Sequence, residues 1–130
     1  MSKVLKRSNC RFFLMTGNNI DELKIMDEII ESEYKEYCTP LNNFTIKEIL
    51  PIIPNCQIAI CNDSSFSHLS AGLGIKTIVL MVDTPLIYGS YNKNMYPILP
   101  EGETNVTHDT LGKDKINPEE IYNNFKKLLG

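Results

Sequence analysis

An acid, two hydroxyls and an imidazole fall close together in Asp63, Ser64, Ser65 and His68. They lie between two short apolar runs, Gln57-Ile58-Ala59-Ile60-Cys61 and Thr77-Ile78-Val79-Leu80-Met81-Val82, and the order reads as strand, polar turn, short helix, strand. In open parallel sheets the crevice at the carboxyl ends of the strands is where ligands bind. The unspent N–H groups and the dipole of a helix N-terminus favour an anion there, most often a phosphate. Ser64 and Ser65 have hydroxyls to donate to phosphate oxygens. His68, one helical turn beyond Ser64, faces the same mouth and can help a departing phosphate carry its charge. Asp63 can accept from backbone amides and fix the loop. The plainer reading stands beside each role: Asp and Ser both cap helices well, and a single His is more often packed than catalytic.

Weaker candidates lie further along. Asp83 and Thr84 follow the second apolar run, where they are either sugar or phosphate contacts or the turn after a strand. Glu22 is three residues beyond Asn19, the spacing of a capping box. No Asp-x-Asp pair is present to hold a divalent ion, so no metal and no cofactor is expected. His108 sits in polar sequence and takes no role, and Cys61 and Met81 read as core.

The elements that must position these groups alternate along the chain. Cys10–Met15 is a strand closed by Thr16-Gly17, followed by a helix of about four turns capped by Asn19, with Ile20, Leu23, Met26, Ile29 and Ile30 on one face. Tyr34–Thr39 is ambiguous, with room for a short strand before Pro40. Thr45 and Glu48 form a second capping box for a short helix that Pro51 and Pro54 limit. Gly74 is placed to end the central helix in a left-handed conformation. Residues 83–92 read as loop, Tyr96–Leu99 as an edge strand, and 102–115 as loop. The last helix has Asn117 as cap, Pro118 in the first position, Glu120 closing a box, and Ile121, Phe125, Leu128 and Leu129 as its apolar face. The pattern predicts an α/β fold, a parallel sheet of about four strands flanked by helices.

With 130 residues the chain has room for one core, so residues 1–9 are assigned as an N-terminal extension and 10–130 as a single domain. A net charge of −3 argues against a nucleic-acid partner, and Lys3, Lys6 and Arg7 make only a weak basic cluster. The four cysteines, Cys10, Cys38, Cys56 and Cys61, show no metal-ligand spacing. With no signal peptide and no bilayer-length apolar run, the expected compartment is the cytoplasm, with at most peripheral contact to an inner membrane.

The run Asp63 to Gly74 resembles glycosyltransferase family 9, the heptosyltransferases of lipopolysaccharide inner-core assembly. Asp63, Ser64, His68, Leu69 and Ser70 match the family's Asp-hydroxyl-Gly-x-x-His-aliphatic-small pattern, and Asp83-Thr84-Pro85 and Gly89 match its later loop. Thr16-Gly17 and Pro118–Ile121 also fit. The likeness covers roughly residues 10 to 129 and is specific only around Asp63–Leu73. It implies the C-terminal, donor-binding half of a GT-B enzyme, a Rossmann-like domain that binds the diphosphate of a nucleotide-activated sugar, an ADP-sugar first among them. The implied acceptor is lipopolysaccharide or another glycan or glycolipid. Glu22 then stands near where the family places an acid on the ribose. The implied reaction is an inverting transfer without metal, its base carried by an N-terminal partner domain or chain that this sequence lacks.

One residue departs from the pattern: Ser65 replaces the usual Gly, and its β-carbon resists positive φ and narrows the approach of backbone N–H groups to a diphosphate. Ser65 and the absent lobe keep open a second reading, a non-catalytic α/β nucleotide- or protein-binding module. A receiver-like domain is disfavoured because Thr16-Gly17-Asn18 lacks the acidic cluster such domains need.

Overall fold

The computed structural model describes residues 9–130. The basic cluster of Lys3, Lys6 and Arg7, and nearly all of the assigned extension, lie outside the described residues. The chain divides into two compact units, Met1–Leu50 and Pro51–Gly130.

In the first unit β1 (Phe12–Leu14) runs parallel to β2 (Cys38–Pro40), with Phe12 opposite Cys38. Between them lies α1 (Ile20–Ile30), three turns rather than four, with Met26 buried and Ile20 and Ile25 exposed. The ambiguous Tyr34–Thr39 stretch resolves into a 3₁₀ turn, Lys35–Tyr37, that leads directly into β2. Thr45 and Glu48 make the expected capping box at the start of α2 (Ile46–Ile49). Glu48 Oε2 accepts from both the N–H and the hydroxyl of Thr45 at 2.8 Å, and these bonds hold its carboxyl below the usual glutamate range.

The second unit is a parallel sheet in the order β3 (Ile58–Asn62), β4 (Lys76–Leu80), β5 (Met95–Ile98). The described residues thus hold five strands in two sheets where about four in one sheet were expected. Helix α3 (Ser65–Gly72) packs on β3 and β4, and α4 (Pro118–Leu129) packs on the same two strands. Thr77, Ile78 and Val79 in central β4 are all fully buried, so both faces of the sheet are covered, as a parallel sheet requires. Ala71, Val79, Met81, Met95 and Val106 form the core on one face, and each large side chain there contributes about 1.5–3 kcal/mol.

Capping shapes the helices much as the sequence predicts. Gly74 takes φ +88° beyond α3, where a β-carbon would be strained. Asn94 Nδ2 donates to Ala71 O at 3.0 Å, which satisfies a carbonyl of that last turn. At α4 the Asn117 side chain accepts from the Glu119 N–H, whereas Glu120 was expected to close the cap. Lys76 Nζ donates to Leu128 O at 2.6 Å and ties the end of α4 to β4.

Two segments read as loop carry more structure than polarity alone suggests. Leu86–Gly89 is a 3₁₀ turn, and Gly89 packs so closely on Met81 that a side chain at 89 would collide with the sulfur. Residues 102–115 include a further 3₁₀ turn, Lys113–Lys115, and are pinned by buried Val106 and by Gly112 N–H donating to Val82 O at 2.9 Å. Leu111 is held at φ +46°, the one non-glycine among the described residues with positive φ. No helix among them is long and apolar enough to cross a membrane.

Candidate functional site

Strand β3 ends at Asn62 and α3 begins at Ser65, so Asp63 and Ser64 form the whole connection. Ser64 is the N-cap in extended conformation, and a reciprocal capping box joins it to Ser67, whose hydroxyl donates to Ser64 O at 2.7 Å. Ser67 is fully buried and Ser64 and Ser65 are exposed, so the interior serine secures the turn while the outer two face the mouth. The Ser67 and His68 N–H groups close onto Ser64 O. An α-helix leaves the N–H groups before them, those of Ser65 and Phe66, without intrahelical partners and directed outward. The helix dipole adds partial positive charge at the same place.

Ser65 occupies the first helical position and does not have positive φ. The backbone therefore does not need glycine here, and the β-carbon sits without strain. That corrects the conformational part of the expectation about this substitution.

Asp63 and His68 are brought together. His68 Nε2 lies 3.6 Å from Asp63 Oδ1, the distance of an ion pair rather than a hydrogen bond, with the Asp63 side chain 11% exposed and that of His68 36%. Asp63 Oδ1 is buried with no hydrogen-bond partner. On the other side of the ring, His68 Nδ1 is 2.8 Å from the Tyr91 hydroxyl. The two rings stack at 5.7 Å with 21° between their planes. Sequence reasoning missed Tyr91, which is 23 residues from His68. Its only signal was the pair of tyrosines, Tyr88 and Tyr91, in a loop marked by Pro85, Gly89 and Asn92.

Thr84 lies just past the end of β4. Because β3 and β4 are parallel neighbours with Asn62 opposite Leu80, the loops carrying Asp63 and Thr84 leave the sheet at the same end. Thr84 Oγ1 is buried and without a partner.

Glu22 belongs to the first unit, in the first turn of α1. Its N–H donates to Asn19 Oδ1 at 2.9 Å, which makes one arm of the expected box. Its carboxylate instead folds against Gly17, where a β-carbon would collide with it, and Oε2 is buried without a partner.

Cys61 is no nucleophile here. Burial pushes its thiol up to about 11, opposed in part by a hydrogen bond with Ser70. An open depression of about 530 Å³ lined by Pro97, Leu99, Pro100, Glu101, Gly102, Glu103 and Glu120 lies elsewhere in the second unit, and its carboxylates repel an anion.

The model of glycosyltransferase family 9 (heptosyltransferase) matches residues 1–115. The chain belongs to that family. The match takes in Glu22, Asp63, Ser64, Ser65, His68, Thr84 and Tyr91, whereas α4 lies beyond it. Neither the comparison with curated proteins nor that with solved structures returned a match. Membership supports glycosyl transfer in the broad sense, with a nucleotide-sugar donor and a glycan acceptor as the general partners of family 9.

Proposed function

We propose that residues 10–130 act as the donor-binding half of a GT-B glycosyltransferase and hold the diphosphate of an ADP-sugar at the N-terminus of α3. The observation that carries this reading is the Asp63–His68 pair beside that N-terminus, with the Ser64 and Ser65 hydroxyls exposed at the same turn. Thr84 lies at the same end of the sheet, with a hydroxyl oxygen still lacking a partner.

The transfer is inverting and independent of metal. A carboxylate on an N-terminal lobe takes the proton of an acceptor hydroxyl, and the resulting oxygen attacks the anomeric carbon. The bond from that carbon to the diphosphate breaks, and its electron pair leaves on the phosphate oxygen. The N–H groups of Ser65 and Phe66, the two hydroxyls and the imidazole stabilise that charge. The acceptor is lipopolysaccharide or a related glycolipid. The reaction belongs in the cytoplasm, with peripheral contact to the membrane that carries the acceptor.

Calorimetric titration of the chain with ADP and UDP, each beside a His68→Gln variant, tests the reading. ADP is expected to bind, and H68Q is expected to weaken it about tenfold to a hundredfold, the worth of a hydrogen bond to a charged group. No heat from either nucleotide, or equal affinity in the variant, refutes it. ADP binding with transfer still at background after an N-terminal partner is added favours the non-catalytic module, which Ser65 at the family's glycine position supports.

A further inference from the structure

The two nitrogens of His68 face different chemistry. Nε2 is directed at the Asp63 carboxylate, whose Oδ1 has no other partner. Nδ1 is directed outward at the hydroxyl of Tyr91, a residue 56% exposed. The titratable groups against the ring are thus Asp63 from the turn after β3 and Tyr91 from the loop after β4. A carboxylate beside Nε2 favours a proton on that nitrogen. Nδ1 is left as the edge that an incoming ligand meets. With the ring as imidazolium, one N–H points to Asp63 and the other donates to a phosphate oxygen, so each charge in the row has an opposite neighbour.

We propose that the Tyr91 hydroxyl is a stand-in for that phosphate oxygen. It covers Nδ1 in this structure, and a diphosphate displaces it, turning the Tyr91 side chain off the imidazole while Leu86 and Gly89 keep the loop in place. This inference rests on the diphosphate reading above and adds which nitrogen binds and what competes for it. Tyr91 is held to His68 by one hydrogen bond and one ring contact, so its release costs little.

Tyr91→Phe keeps the ring and removes the competing hydroxyl, and the exposure of the side chain lets the fold tolerate it. ADP is expected to bind Y91F about threefold to tenfold more tightly than the unaltered chain, the worth of one lost competing hydrogen bond. In nitrogen-resolved NMR of the unaltered chain, ADP is expected to convert His68 Nδ1 from acceptor to donor and to shift the Tyr91 ring signals. Equal or weaker binding by Y91F, or Tyr91 signals that ADP leaves unmoved, overturns the stand-in while the diphosphate reading survives. Absence of ADP binding to both proteins overturns the two together.

Discussion

His68 reaches the mouth of the site because α3 starts only two residues after β3 ends, and those two residues are the acid and the cap. The same geometry decides what Ser65 does. It sits at a helical φ, so Ser65→Gly relieves no strain and adds backbone freedom to the unfolded chain. The expected result is a loss of about 0.5–1 kcal/mol in a urea titration. A gain in stability would show that the serine is strained after all. Cys61 makes a prediction about alkali. Its thiol titrates at about 11 in the folded chain against an ordinary 9.0, so the unfolded state loses that proton first as the pH rises. The associated stability is intact below pH 9.0 and disappears as the pH climbs through about 11. Denaturation midpoints measured across that window should fall more steeply in the native chain than in Cys61→Ala.

Among the elements, the caps carry much of the local specification, and two of them can be tested by removal. Glu48 is held in its ionised form by Thr45, so the stability this bond provides is present above the unfolded glutamate value and is lost as the pH falls through the lower folded one. Glu48→Gln should therefore unfold at lower urea than the native chain at neutral pH, with the difference vanishing in acid. Lys76 acts at the other end of a helix. Its ammonium satisfies Leu128 O and complements the negative end of α4, and Lys76→Met should cost about 1 kcal/mol in the same assay. Where sequence and structure diverge, the cause is tertiary. Asn19, Thr45, Asn117 and Gly74 could be read directly because caps depend on residues a few positions apart. The Glu22 side chain could not, because its resting place against Gly17 depends on the backbone path and not on spacing.

For the whole molecule, the alternation of strands and helices was legible because buried parallel strands are continuous apolar runs, as Thr77–Met81 shows. The count of strands was not, since Cys38–Pro40 is short, ends in proline and gains its identity only by pairing with β1. Tyr91 was hidden for the same reason: its meeting with His68 is made by the 3₁₀ turn at Leu86–Gly89, which no periodicity announces. The polar stretch 102–115 hid its fixed points as well. Gly112 is buried against the ring of Pro100, and a β-carbon there would also stand 3.3 Å from Val82 O. Gly112→Ala should destabilise the second unit by about 1–3 kcal/mol, read from its unfolding midpoint. The tether from Gly112 N–H to Val82 O reaches further than stability, because Val82 is only two residues before Thr84. The hydroxyl at 84 is aimed, in effect, by a guy-rope anchored far downstream in the chain. On the proposed diphosphate reading, slackening that rope would blunt donor recognition with every contacting side chain intact, so Gly112→Ala should weaken ADP binding as well as stability.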